Sequence, residues 1–263
     1  MDDLLSRRRF LIVTGAGVAG FRAPAPARSA VQAVAGFPRQ APSLVQRLVQ
    51  VSHFDPDAVR ELVTDRPALA TASWDWGFGD WETGLDAASH VGRREIAEFL
   101  MAHGARPTIF TFAMFGNLDA VRAMIAGQPG VQRRTGPHGL SLVHHARAGG
   151  DDAAAVLAYL EERGDADPRA VDLPLAAGDR AVYPGRYRLT SDAAVEFAVI
   201  ERRERLAFQF AEEAARNLLH QGDHAFHPVG APAVRFLFDI RDETSIGVTI
   251  RDGSQSLTAT RIA

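Results

Sequence analysis

Apolar side chains follow two different periods along the chain, and the change falls near residue 170. Between residues 42 and 168 they recur every three or four positions, as on amphipathic helices. From residue 181 onward apolar and polar residues alternate, as on strands with one buried face. The alternating apolar runs are Val195, Phe197 and Val199; Leu206, Phe208 and Phe210; Val234, Phe236 and Phe238; Ile246, Val248 and Ile250. The pattern predicts a helical first part and an antiparallel β second part.

The segment from Thr83 to Pro107 has the spacing of a repeated helix pair. It resembles one ankyrin repeat, with the pattern TPLHxAAxxGHxEIVxxLLxxGADP, although Gly84 replaces the usual proline and Asp86 the usual histidine. Partial copies follow, and a degenerate pair precedes it. The resemblance implies stacked helix pairs, and glycines between paired helices are expected to adopt positive φ. Residues expected to have a structural role in the repeats are Trp81, Thr83, Leu85, Gly92, Gly104, Gly116, His144 and Gly150.

The β part opens with Tyr183-Pro-Gly185-Arg-Tyr187 and continues through short strands separated by charged turns. It resembles the lipocalin-like accessory domain that often follows serine β-lactamase-like enzymes. The predicted fold class is therefore α+β with several domains: an N-terminal ankyrin-type α-solenoid, then a small antiparallel β-meander or half-barrel. The predicted domain boundaries are an export signal at 1–30, a linker at 31–41, the solenoid at 42–168, a linker at 169–180 and the β-domain at 181–263.

The N-terminal segment offers two interpretations. Gly15, Gly17 and Gly20 form a literal G-x-G-x-x-G, but no acidic residue follows before Asp55 to hold a ribose, and no βαβ pattern follows either. The stretch Ser6–Leu11 reads SRRRFL and precedes a short apolar core and small-residue cleavage candidates. It resembles a twin-arginine export signal, which implies a periplasmic location for the folded protein.

Composition excludes several kinds of chemistry. The net charge is −3, which provides no basic field for nucleic acid or an anionic membrane. The chain has no cysteine, and arginine supplies all its cationic side chains. Thiolate metal sites, thiol nucleophiles and Schiff-base lysines are therefore excluded. No apolar run is long enough to predict a stable membrane span.

Histidines provide the candidate polar chemistry. His220, His224 and His227 lie close in sequence beside Asp223, but on an alternating strand His224 and His227 point to opposite faces. We therefore predict no metal ligand, no catalytic residue and no cofactor. His144 occupies the ankyrin histidine position, which gives it a structural role.

All three tryptophans lie in the stretch SWDWGFGDWET, where ankyrin proteins carry a β-hairpin. Trp81, nearest the following helix, is expected to pack into the core. The residues predicted to form a partner-binding surface at the hairpin tip are Trp74, Trp76, Phe78 and Asp80.

Three functional hypotheses follow. The leading one is a non-enzymatic exported adaptor that binds a periplasmic protein through the ankyrin hairpins and concave surface. The alternative is a binder of small apolar ligands through the C-terminal β-domain. The third is a hydrolase-type enzyme with a histidine-based site.

Overall fold

The computed structural model describes residues 39–211 and 213–263. The predicted export signal at 1–30 lies outside the described residues. Residues 40–263 form one compact unit, in which a helical region and a β-barrel are packed together.

The helical region consists of short helices joined by turns and 3-10 segments. Its α-helices are α1 (Pro42–Val51), α2 (Pro56–Asp65), α3 (Gly84–His90), α4 (Arg94–Ala102), α5 (Ile109–Met114), α6 (Leu118–Gly127), α7 (Leu142–Ala148) and α8 (Ala154–Arg163). A two-stranded hairpin, β1 (Ser73–Asp75) and β2 (Trp81–Thr83), lies between α2 and α3. A further short helix, α9 (Ala177–Arg180), leads into the barrel.

Polar side chains fix where these helices begin. The Asp55 carboxylate accepts the backbone N–H of Ala58 at 3.0 Å at the start of α2. Thr83 and Asp86 form a reciprocal capping box at the start of α3. Such caps satisfy backbone N–H groups that lack a partner within the helix, so the sequence marks the helix starts locally.

Glycines between helices adopt positive φ, as the sequence predicts, and they also let segments approach closely. Gly92 has φ +74° and Gly116 has φ +73°. A Cβ at Gly92 would lie 2.1 Å from the carbonyl oxygen of Ala148, and one at Gly116 would lie 2.0 Å from that of Asp152. Both positions thus require glycine for backbone conformation and for space.

In the part of the chain that the structure describes, eight antiparallel strands form a closed barrel. The strands are β3 (Gly185–Leu189), β4 (Glu196–Arg202), β5 (Arg205–Phe210), β6 (Arg216–Gly222), β7 (Ala225–Pro228), β8 (Arg235–Arg241), β9 (Thr244–Asp252) and β10 (Gln255–Arg261). Each strand pairs with the next along the chain, and β10 also pairs with β3. The predicted strands and their tight turns are confirmed.

Aromatic side chains fill the barrel interior. The phenol of Tyr187 stacks on Phe197 with ring centroids 5.5 Å apart, and its hydroxyl donates to the Tyr183 carbonyl oxygen at 2.6 Å. The aromatic residues of the barrel core are Tyr183, Tyr187, Phe197, Phe208, Phe226, Phe236 and Phe238.

The predicted fold class is wrong in both parts. The half-barrel is a closed barrel, because pairing of β10 with β3 removes the free strand edges that a meander would leave. The ankyrin-type α-solenoid is not observed in residues 42–168: the helical region is short, and 3-10 segments interrupt it between residues 131 and 139. The barrel also packs against the hairpin, where a solenoid would continue its own stack.

None of the helices in residues 39–211 and 213–263 is both long and apolar enough to cross a membrane.

Candidate metal centre

The hairpin turn anchors the helical region to the barrel. Gly77, Phe78 and Gly79 all have positive φ, and this turn directs the Phe78 ring into the barrel end, 5.9 Å from Phe208 between centroids. Arg216 on β6 donates hydrogen bonds to the carbonyl oxygens of Trp76 and Gly77 at 2.8 and 3.1 Å. The turn that was expected to be exposed is therefore a contact between the two parts of the molecule.

The side chains that the hairpin buries and exposes at its second strand are the reverse of the sequence prediction. Trp81 is 60% exposed, so the expectation that it packs into the core is wrong. Its neighbour Glu82 is fully buried. Adjacent residues on a strand point to opposite faces, so an outward indole at 81 places the carboxylate at 82 inside.

Three imidazoles surround the Glu82 carboxylate. Its Oε1 lies 3.2 Å from His90 Nδ1, 3.3 Å from His138 Nε2 and 3.6 Å from His53 Nε2. The four potential ligand atoms all lie within 4.8 Å of one another. Zinc bonds of 2.0–2.1 Å in a tetrahedron place neighbouring ligand atoms about 3.3–3.4 Å apart. The oxygen–nitrogen distances to His90 and His138 match this spacing to within about 0.1 Å, and the distance to His53 is about 0.2 Å longer. We call His53, Glu82, His90 and His138 the four-residue cluster.

The contacts within the cluster leave two of its buried polar atoms without a hydrogen-bond partner. Neither Glu82 Oε1 nor His90 Nδ1 has a partner with hydrogen-bond geometry, although they lie 3.2 Å apart. A buried carboxylate oxygen without hydrogen bonds is costly. A cation between these atoms would satisfy both of them.

Neighbouring acceptors turn two of the imidazoles toward the centre. His53 Nδ1 lies 3.0 Å from the carbonyl oxygen of Gln50, which can only accept, so in the neutral imidazole Nδ1 carries the proton and Nε2 has a lone pair. Burial acts to lower the pKa of His53, but Glu82 outweighs it and raises that pKa, so a metal ion would displace a proton from this ring. His138 Nδ1 lies 2.8 Å from Oδ2 of Asp80, with its Nε2 toward Glu82. A carboxylate or carbonyl that holds the distal nitrogen is the usual arrangement around metal-bound histidines.

Asp80 connects the cluster to the barrel. Its Oδ1 accepts the backbone N–H of His138 at 2.8 Å, and its Oδ2 lies 3.4 Å from the Arg216 guanidinium. His138 itself has φ +58°, an uncommon backbone conformation for a non-glycine residue. Gly230 leaves room for the carboxylate, because a Cβ there would lie 2.7 Å from Oδ2. Asp80, predicted as a partner contact, is thus buried beside His138.

The cluster is electrostatically prepared for positive charge. Burial acts to lower the pKa of His138, but the carboxylates of Asp80 and Glu82 outweigh it and raise that pKa to about 9. Burial acts to raise the pKa of Glu82, yet the three imidazoles hold it well below its usual range. For His90 burial dominates and lowers the pKa, which favours the neutral form that binds metals.

One side of the cluster faces a cleft of about 830 Å³. The side chains of His53 and His138 are 24% and 29% exposed, whereas those of Glu82 and His90 are buried. Helix α1 forms one wall of the cleft through Gln46, Arg47 and Gln50, and Trp76, Glu213 and Ala214 lie on the other side. A metal ion in the cluster would therefore be approached from this cleft.

The histidines that the sequence singled out do not converge. His224 Nδ1 lies 2.8 Å from the Tyr183 hydroxyl, and His227 Nδ1 lies 3.0 Å from the Pro228 carbonyl oxygen. The His220 ring packs on Phe226. His220 and His224 line one cavity, but within the described residues these three histidines do not form a group with the spacing of metal ligands.

The predicted repeat positions lie in the helical region. His144 Nε2 donates to the carbonyl oxygen of His90 at 2.9 Å, so it supports a cluster residue indirectly. Thr83 caps α3, and Leu85 is buried in the core. Gly104 and Gly150 have φ of +96° and +63°. Trp74 is half-buried on β1, opposite Glu82.

Comparisons with known proteins found no matching family model, no matching curated protein and no matching solved structure.

Proposed function

We propose that this protein binds one divalent transition-metal ion through His53, Glu82, His90 and His138. The observation that carries the proposal is the position of three imidazole nitrogens 3.2–3.6 Å from the buried Oε1 of Glu82. Three nitrogen donors and one carboxylate suit Zn²⁺, Co²⁺, Ni²⁺, Cu²⁺ or Fe²⁺; Ca²⁺ and Mg²⁺ prefer all-oxygen sites.

The ligands come from four separate segments. His53 follows α1, Glu82 lies in the hairpin, His90 ends α3, and His138 lies in the segment before α7. An ion bound to all four would cross-link these segments in the folded chain only. Binding to the folded state alone raises stability in proportion to the logarithm of metal concentration.

Calorimetric titration of the metal-free full chain with Zn²⁺ tests the proposal. We expect one ion per chain and a rise in melting temperature. Glu82→Gln should weaken binding at least 100-fold, since it removes the one anionic ligand. His103→Gln is the matched control, because His103 is an exposed imidazole outside the cluster.

A second variant, with the same control, covers the case in which Glu82→Gln does not fold. His53 is partly exposed at the edge of the cluster, so His53→Gln should fold and still bind more weakly. Equal Zn²⁺ affinity in wild type, His53→Gln and His103→Gln would refute the proposal.

A small apolar ligand remains a second candidate, because a closed barrel could bind one. The supporting observation is a pocket of about 300 Å³ at the barrel end beside the hairpin, lined mostly by apolar side chains. A fluorescent apolar dye that binds the wild type, but not a variant with a polar residue in this pocket, would support it. Equal binding by both proteins would refute it.

The predicted adaptor role is supported by a different feature, the exposed indole of Trp81. Tryptophan is enriched among residues that dominate protein interfaces. If a periplasmic protein binds here, Trp81→Ala should release it, whereas Phe54→Ala, which changes another exposed aromatic residue, should not. Retention by Trp81→Ala would exclude this surface.

Export by the twin-arginine route also remains a proposal, supported by the sequence of residues 6–11. The double variant Arg7→Lys, Arg8→Lys should leave the precursor in the cytoplasm. Normal periplasmic accumulation of that variant would refute it.

A further inference from the structure

The metal cleft and the barrel-end pocket adjoin each other. Trp76 and Glu213 line both cavities. A third cavity of about 310 Å³, also lined by Trp76, His138 and Glu213, lies beside them. The three cavities therefore lie side by side between the cluster and the barrel end.

The cluster end of this groove favours a single negative charge. A divalent ion with Glu82 as its one anionic ligand has a net charge of about +1. Arg47 adds a cation to the cleft wall and Glu213 an anion, so these two charges offset each other and the charge of the metal centre decides. His53 and His138 are the exposed ligands, so a further oxygen donor reaches the ion from the cleft. Zinc can expand from four-coordination to five-coordination when such a donor binds.

The barrel end of the groove is mostly apolar, with Asp75 and Glu213 as its charged lining residues. Phe78 from the hairpin contacts Phe208 and Phe236 and closes the interior below the pocket. Phe210 and Leu257 are exposed at the rim. The remaining apolar lining residues include Leu189, Val195, Phe197 and Ile250. Because aromatic side chains fill the barrel beneath, a ligand would occupy the end of the barrel and would not enter its core.

We infer that the metal-loaded protein binds a small amphipathic carboxylate. Its carboxylate would coordinate the ion from the cleft, and its hydrocarbon chain would pass Trp76 into the barrel-end pocket. The inference rests on the proposed metal binding. A carboxylate supplies the single charge and the oxygen donor. An inorganic anion has no hydrocarbon chain and would leave the apolar pocket unoccupied.

Cobalt(II) provides the test, because its visible spectrum reports directly on its coordination. The Co²⁺-loaded full chain would be titrated with acetate, butanoate, hexanoate and octanoate, and with octan-1-ol as the uncharged analogue. We expect octanoate to change the cobalt spectrum and affinity to rise about fourfold per methylene until the pocket is filled. Octan-1-ol should leave the spectrum unchanged.

Two failures are distinguishable. If Co²⁺ binds but octanoate leaves its spectrum unchanged, the ligand class is wrong and the metal centre stands. If Co²⁺ does not bind at all, both the metal centre and the inference fail. An affinity that does not depend on chain length would place the carboxylate at the metal without using the pocket, and would also overturn the inference.

Variants at the rim of the barrel-end pocket test whether the hydrocarbon chain of the ligand binds there. Phe210→Ser and Leu257→Ser change exposed side chains, so both should fold. Each should weaken octanoate binding tenfold or more and leave acetate and Co²⁺ affinities unchanged. Val171→Ser is the matched control, because Val171 is an exposed apolar residue outside the pocket. Unchanged octanoate affinity in both rim variants would overturn the placement of the chain.

Discussion

The indole nitrogen of Trp76 donates a 2.7 Å hydrogen bond to Oε2 of Glu82. The bond engages one carboxylate oxygen and leaves Oε1 directed at the three imidazoles. The two oxygens of Glu82 therefore have separate roles: one fixes the orientation of the carboxylate, and the other is the proposed metal ligand.

Trp76→Phe should weaken Zn²⁺ binding about tenfold or more, the range for loss of a bond that orients a ligand. The change keeps an aromatic wall in the cleft and removes only the N–H donor. Calorimetric titration measures the effect. Trp74→Phe is the control, since Trp74 lies in the same hairpin and its indole nitrogen makes no such bond to Glu82. Equal affinities in the two variants would contradict the role given to the indole.

Asp80→Asn should also weaken Zn²⁺ binding, by about 10–100-fold, because the amide holds the His138 imidazole less strongly than the carboxylate does. Exposed Asp57→Asn is the control and should bind as the wild type does. Gly230→Ala offers an independent approach, since its Cβ would lie 2.7 Å from Asp80 Oδ2 and displace the carboxylate. Full Zn²⁺ affinity in both the Asp80 and Gly230 variants would show that Asp80 does not position His138.

Phe78→Ala and Trp81→Ala should differ in their effects on folding stability. Phe78 packs on Phe208 and Phe236, so its truncation should lower the free energy of unfolding by about 2 kcal/mol or more. Trp81 is exposed, so its truncation should change that free energy by less than about 0.5 kcal/mol. Urea denaturation of both variants measures the difference. A larger loss at Trp81 than at Phe78 would contradict the observed hairpin orientation.

Tyr187 should make the barrel sensitive to alkali. Burial raises the pKa of its hydroxyl above the ordinary 10.0 and outweighs the opposing effects of Ser245 and Arg261. The folded chain therefore keeps a proton that the unfolded chain releases. The associated stability is complete below pH 10 and is lost as the pH rises through the folded-state pKa. Tyr187→Phe should flatten this alkaline decline in urea denaturation, whereas Tyr159→Phe, which changes a partly buried tyrosine outside the barrel, should not. The same decline in all three proteins would exclude Tyr187 as its source.

Local patterns in the sequence predict local structure well here. Alternation at Phe197 and Val199 predicts a strand with one buried face, and the Thr83 cap marks the start of α3. Closure of the barrel depends on pairing of β10 with β3, about 70 residues apart in sequence, for which no local pattern is a signal. Strand prediction was therefore more reliable than prediction of the architecture.

The cluster could not be found from spacing. Successive members of the cluster are 29, 8 and 48 residues apart, so no short motif contains them. The orientation of the hairpin was predicted wrongly because the hydrophobicity of Trp81 favours burial of its side chain. In the structure the facing is shifted by one residue, so the side chain of Glu82 is inside. Three imidazoles face the buried carboxylate on the inner side, and the indole is left outside. The sequence signal for a buried polar residue was its alternation with a tryptophan at the end of the hairpin.

The location of a bound ion tests the account most directly. Crystals of the zinc-loaded full chain, measured with X-rays on both sides of the zinc absorption edge, would show an anomalous peak at the metal position. The account predicts one peak about 2.0–2.2 Å from His53 Nε2, His90 Nδ1, His138 Nε2 and Glu82 Oε1. A zinc peak held by other residues, such as His220 or His224, with none inside the four-residue cluster, would contradict it.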